Sequence, residues 1–168
     1  MMSKKRVLCA AAVMTVVISG CHILGGGGWL PGLYGGKANF GFEAHCVQVD
    51  DLSLFYEGDF QYSDRSAGVR FHGAFELSAG IGGGTSCEQV VVDVFPDELT
   101  IAELSGTCWS QPDKHQGTFT VYVEDNGTPG MAGDYIEITA TGCSPDGGDY
   151  AHAGTLGGGN IWFEDHDG

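Results

Sequence analysis

Positive charge is the scarcest property of this chain beyond residue 20. Only Lys37, Arg65, Arg70 and Lys114 remain there against all 22 acids, a formal charge of −18. A surface of that sign argues against nucleic acid and anionic headgroups as partners. Its ordinary use is mutual repulsion that keeps an exported protein soluble. Helical periodicity is almost missing as well. No apolar run reaches the roughly 20 residues that a spanning helix needs. The signatures of common catalysts are absent: the sequence has no G-x-S-x-G elbow, no His-x-His or HExxH pair and no close C-x-x-C pair. Those gaps argue against an activated serine and a zinc centre. No glycine-rich loop opens a helix, so a nucleotide-phosphate cradle is excluded too. A non-enzymatic protein without a cofactor is the expectation.

What is present begins at the N-terminus. Lys4, Lys5 and Arg6 precede the uncharged stretch Val7 to Ile18, and the small residues Ser19 and Gly20 follow. A basic start, a short apolar run and small residues describe a secretory signal over 1–20. Ile18-Ser19-Gly20-Cys21 resembles the lipobox of bacterial lipoproteins. That resemblance implies that Cys21 is lipidated and becomes the mature N-terminus, anchored in the cell envelope. The residue after it is His22, not Asp, which by the same resemblance implies outer-membrane delivery where the host has one. Gly25 to Gly28 reads as a flexible tether, so residues 21–36 form anchor and linker. Trp29, Leu30 and Leu33 are candidates for touching the bilayer interface or for the first packed positions.

The rest of the chain alternates. In "GTFTVYVEDNG", Phe119, Val121 and Val123 share one face, and Thr118, Thr120 and Tyr122 the other. Similar short runs, bounded by Gly, Asp, Asn or Pro, predict strands near 38–49, 53–62, 68–78, 87–95, 98–107, 117–125, 134–141, 150–156 and 159–165. The fold class is therefore all-β: an antiparallel sandwich or partly closed barrel of eight or nine strands over 37–168. "KANFGFEA", "GDFQYSD" and "GVRFHG", with "GTFTVYVEDNGTPGMAGDYIEI" and "AGTLGGGNIWFED", resemble the post-COAP domain, a small β-rich module of exported bacterial proteins. The resemblance spans about residues 37–165. It implies a β fold and carries over no catalytic residue.

Cys9 falls in the signal, which leaves Cys46, Cys87, Cys108 and Cys143 beyond the anchor, with three possible pairings. If Asp97-Glu98 is the two-residue loop of a hairpin, paired positions sum to 195 and Cys87 faces Cys108. Cys46–Cys143 follows by elimination.

Two candidate sites remain. Asp125, Asn126 and Asp134 lie in an acidic turn that offers oxygens to calcium, with Glu124, Asp146, Asp149, Glu164, Asp165 and Asp167 in similar turns. None of these stretches has the EF-hand spacing, and Asp-Asn-Gly is a common turn in its own right. Trp109, Trp162 and Tyr122 are the aromatic candidates for a carbohydrate surface, with Tyr122 opposite the apolar face of its strand. The expected role is a lipid-anchored envelope module, structural or binding, with an envelope protein or polysaccharide as partner. The alternatives are an envelope hydrolase or inhibitor with an acidic site, or a carbohydrate-binding module.

Overall fold

Alternation in sequence becomes alternation in burial. Along Tyr135–Thr141, Ile136, Ile138 and Ala140 are buried while Glu137, Thr139 and Thr141 are exposed. The computed structural model describes residues 21–48, 54–75, 91–92, 100–127 and 133–166. Ten strands occupy them: β1 (Cys21–Pro31), β2 (Lys37–Gln48), β3 (Leu54–Asp64), β4 (Val69–Phe75), β5 (Val91–Val92), β6 (Thr100–Ser110), β7 (Gln116–Asp125), β8 (Tyr135–Thr141), β9 (Asp149–Thr155) and β10 (Gly158–His166). All belong to one antiparallel sheet in the order β10-β1-β2-β3-β4-β6-β7-β8-β9, with β5 paired to β6. The all-β expectation is borne out, and each of the nine anticipated strands has its counterpart.

Connectivity forces this sheet to curl. β9 and β10 stand at opposite ends of the order, yet only Leu156 and Gly157 separate them in sequence. Laid flat, nine strands would hold their outer members about 38 Å apart. Three peptide links reach only about 10 Å. The sheet therefore folds into a half-barrel whose two halves face each other across an apolar interior. Phe60 of β3 stacks on Phe119 of β7 at 5.1 Å, and Tyr62 of β3 lies 5.6 Å from Tyr150 of β9. Neither pair is on adjacent strands. Phe71, Phe75, Leu104, Val121, Ile138 and Ile161 fill the remaining interior.

The first strand corrects the reading of Gly25 to Gly28 as a tether. These glycines lie within β1, paired to β2 on one side and β10 on the other. At three of the four the lack of a side chain serves close packing. A Cβ at Gly25 would sit 2.4 Å from the Trp162 ring, one at Gly26 2.7 Å from Phe42, and one at Gly28 2.3 Å from the Gly158 carbonyl oxygen. Rings and a neighbouring backbone occupy the space that side chains would need. Leu30 is fully buried, so it is a packed residue. Trp29 covers Gly157 and Gly158, with the Lys37 ammonium 3.9 Å from its ring. Leu33 and Tyr34 stand exposed on the turn to β2. The expected signal segment, 1–20, lies outside the described residues.

The disulfide expectation is also corrected. Cys108 is bonded to Cys143, not to Cys87. Cys46 is disulfide-bonded, but not to Cys143; Cys87 lies outside the described residues. The hairpin register explains the error. Val91 faces Ile101 and Val92 faces Thr100, so positions sum to 192 instead of 195. Cys108 lies further along β6, where its neighbour on that side is Gly73 of β4. Its place opposite β5 is taken by another strand.

Candidate functional site

Two kinds of polar feature stand out: carboxylates sealed inside the curl, and an open trough on its outer face.

Asp64 is the first sealed carboxylate. The alternation Phe60, Tyr62, Asp64 turns it inward at the end of β3, and it has no exposed surface. Its Oδ1 accepts hydrogen bonds from the Ser66 N–H and hydroxyl at 2.8 and 2.7 Å and from the Ala67 N–H at 3.3 Å. Its Oδ2 accepts from the Leu33 N–H at 2.9 Å and the Tyr150 hydroxyl at 3.0 Å. Burial alone would raise its pKa, but the bonds from Ser66, Leu33, Tyr150 and Ala67 outweigh that and hold it at about 2. Tyr62 Oη lies 2.8 Å from Tyr150 Oη and 2.6 Å from His152 Nδ1. With the Tyr150 proton committed to Asp64, one order uses each proton once: His152 Nδ1–H to Tyr62, Tyr62 to Tyr150, Tyr150 to Asp64. Burial pushes both tyrosine pKa values up, so the phenols stay protonated as donors. This chain ties β3 to β9 across the interior.

Asp134 is the second, and it was a calcium candidate. It is 4% exposed. Its Oδ1 accepts from the Asn126 N–H at 3.2 Å, its Oδ2 from the Ile161 N–H at 2.8 Å, and its carbonyl from the Leu156 N–H at 2.8 Å. It joins the β7–β8 turn to the β9–β10 connection, where the curl closes. Asn126 Nδ2 donates to the Gly133 carbonyl, and Asp125 Oδ1 accepts from the Gly127 N–H. Burial raises the Asp125 pKa first of all, with the Asp134 charge adding to it. Backbone N–H groups thus engage Asp125 Oδ1 and Asp134 Oδ1 within the turn and Asp134 Oδ2 from β10. Among the described residues no group of three His, Cys, Asp or Glu side chains converges on a metal position. Asp146 is held in its own turn, where the Ser144 hydroxyl and the Gly148 N–H lower its pKa. The side chains of Glu164, Asp165 and Asp167 lie outside the described residues.

The outer face carries the open feature. A trough of about 1050 Å³ lies over β2, β3 and β4. Side chains that point out of the curl line it, among them Asn39, Glu43, Asp59, Gln61, Arg70 and His72. Gly41 also lines it, between Asn39 and Glu43 along β2 and opposite Gln61 of β3. A Cβ at Gly41 would meet nothing within 4 Å. His72 faces Trp109 of β6, and the two rings lie nearly parallel, 13° apart in plane and 6.2 Å between centroids. At the rim His45 pairs with Glu43 at 3.0 Å, both well exposed. An exposed contact of this kind contributes little to stability. An outward face bearing Glu43, Asp59, Glu103 and Glu137 is not the apolar band of a lipid-facing barrel.

The three aromatic candidates do not form one platform. Trp109 sits beside the trough through His72. Trp162 lies against Gly25 on β1, five strand steps from β6, and is half-buried there. Tyr122 is half-buried among Glu103, Glu124 and Glu137, six residues along β7 from the Gln116 that faces Trp109. Its hydroxyl donates to Glu124 at 2.7 Å, and that bond, more than burial, pushes its pKa up to about 12. It is therefore less free than its outward direction indicated. Sequence reasoning missed Asp64, Tyr62, Tyr150 and His152, although inward parity of an aspartate was a usable signal. It also missed Gly41, Gln61 and His72, which meet only through strand register.

No protein-family model, curated protein or solved structure matches this chain.

Proposed function

We propose that the chain is an exported, lipid-anchored binding module of the bacterial cell envelope that works without catalysis. The trough carries this reading. It is open, polar and built on β2, β3 and β4, strands that are each paired on both sides. The post-COAP-like blocks and the lipobox support the exported setting. The buried acids Asp64 and Asp134 are not a catalytic pair, because they spend their oxygens on backbone and hydroxyl donors. A catalytic pair needs carboxyls free to reach substrate.

The anchor also orients the module. Cys21 opens β1 directly, and the turn bearing Leu33 and Tyr34 follows its other end. A strand of eleven residues puts these ends about 35 Å apart. The trough then runs along the side of the strands, from His45, opposite Ile23 near the anchored end, to Asn39, opposite Trp29. Intact-mass analysis of detergent-extracted protein is expected to give a chain starting at Cys21 with diacylglycerol and a further acyl group. That protein, mixed with detergent-washed cell walls, is expected to sediment with them, and Trp109→Ala to reduce the bound fraction. A water-soluble species with a free Cys21 thiol overturns the anchor. Protein left in the supernatant overturns the binding role.

A further inference from the structure

We infer that the trough on β2–β4 binds a neutral polysaccharide, with Gly41 as its floor and the His72–Trp109 ring pair as its stacking surface. This rests on the binding-module reading and names its ligand class.

Gly41 is the first ground. A glycine inside a strand costs roughly 0.5–1 kcal/mol against alanine. At Gly25, Gly26 and Gly28 packing offsets that cost, because rings or backbone fill the space beside them, while a Cβ at Gly27, the partner of Gly41, would meet only ordinary contacts at 3.7 and 3.9 Å. Gly41 has no such neighbour. No neighbour lies where a side chain would start there, and a side chain would project into the trough. A bare strand backbone is what close approach of a ligand requires.

The lining is the second ground. Asn39, Gln61, Glu43, Asp59 and Arg70 present planar amide, carboxylate and guanidinium groups. Such groups bridge adjacent hydroxyls of a sugar with paired hydrogen bonds. His72 in the lining and the Trp109 ring beside the trough, nearly parallel to it, add a flat surface that suits the C–H face of a pyranose ring. A volume of about 1050 Å³ stands at the upper end of small-molecule sites, roughly 300–1,000 Å³, and suits several linked units.

The rival occupants fit less well. An extended peptide adds to a free sheet edge, but β2, β3 and β4 are each paired on both sides. A folded protein partner favours an apolar, charge-depleted centre, and this trough has neither property. A polyanion meets a mature chain of formal charge −18, with Glu43 and Asp59 in the trough itself. A neutral glycan meets none of these obstacles. The exposed His45–Glu43 pair can re-pair with hydroxyls at little expense.

The test is affinity electrophoresis of the mature, detergent-extracted protein through gels containing mannan, xylan, a soluble β-glucan or polygalacturonate. At least one neutral polysaccharide is expected to retard it. Trp109→Ala is expected to weaken that retardation about tenfold or more, as loss of a central aromatic anchor does. Gly41→Val, which fills the floor, is expected to do the same while its melting temperature stays at or above that of the wild type. Retardation by polygalacturonate alone, retardation unchanged in Gly41→Val, or no retardation in any gel overturns the inference. If the wild type still sediments with cell walls while no gel retards it, the ligand class fails and the binding role stands. If both assays are negative, the binding role fails with it.

Discussion

Replacing Asp64 with alanine is expected to destabilise the protein by about 3–5 kcal/mol, the range seen when one partner of a buried charged network is removed. The carboxylate has no exposed surface and receives five hydrogen bonds. Its loss strands the N–H groups of Leu33, Ser66 and Ala67 and the hydroxyl of Tyr150, and each buried, unpaired donor costs about 1–3 kcal/mol unless water reaches it. For a chain of this size the melting temperature should fall by about 10 °C or more. The native pKa of about 2 stands against 3.8 for a free aspartate. Above pH 4 the residue is ionised in both folded and unfolded chains, and its full contribution is present. As pH falls, the unfolded chain takes up the proton first, and by pH 2 most of the contribution is gone. The shift corresponds to about 2 kcal/mol. Asp64→Asn lacks this proton, so the stability gap between wild type and Asp64→Asn is expected to narrow from pH 5 to pH 2. Thermal melts of both proteins across that range check it; a gap that stays constant or widens contradicts the assigned network.

Removing the Cys108–Cys143 bond is expected to cost about 4 kcal/mol by the loop-entropy account. The two residues are 35 apart in sequence and almost fully buried, at 1% and 0% exposure. The bond crosses from β6, over β7, to the turn between β8 and β9. It fixes the end of the sheet, since among the described residues β9 has a ladder partner only in β8. Cys108→Ser with Cys143→Ser should lower the melting temperature by about 10 °C. Non-reducing peptide mapping is expected to recover a peptide linking Cys108 to Cys143. A peptide joining Cys87 to Cys108 would restore the hairpin register with a sum of 195 and overturn the observed one.

The strands were legible because their alternation is local. Phe119, Val121 and Val123 declare their common face within five residues, and the same holds for Ile136, Ile138 and Ala140. Gly25 to Gly28 misled for a physical reason. Four glycines are a flexible chain in isolation and become a strand only when Phe42, Trp162 and the backbone of β10 close over them. Those partners are distant in sequence. The disulfide was misassigned because register depends on loop length. A two-residue loop at Asp97-Glu98 set the expected pairing, whereas the observed pairing leaves seven residues between Val92 and Thr100 and brings β4 alongside Cys108. Asp134 stood out in sequence as an acidic turn residue, but its partner Ile161 did not, because their contact closes the curl. The blocks "GDYIEI" and "GTLGGGNI", the most specific part of the post-COAP resemblance, are where Asp134, Leu156 and Ile161 meet. The trough was the least legible feature. Gly41, Gln61, His72 and Trp109 form one row across four strands, and no local pattern unites them.

Oxidative footprinting of the mature protein with and without cell-wall fragments tests the central claim, that the trough is the binding face. The reading predicts reduced oxidation of Trp109 and His72 in the bound state, with Tyr34, 77% exposed on the β1–β2 turn, oxidised as before. Protection of Tyr34 and Leu33 with Trp109 and His72 unchanged would place binding on the turn and contradict it.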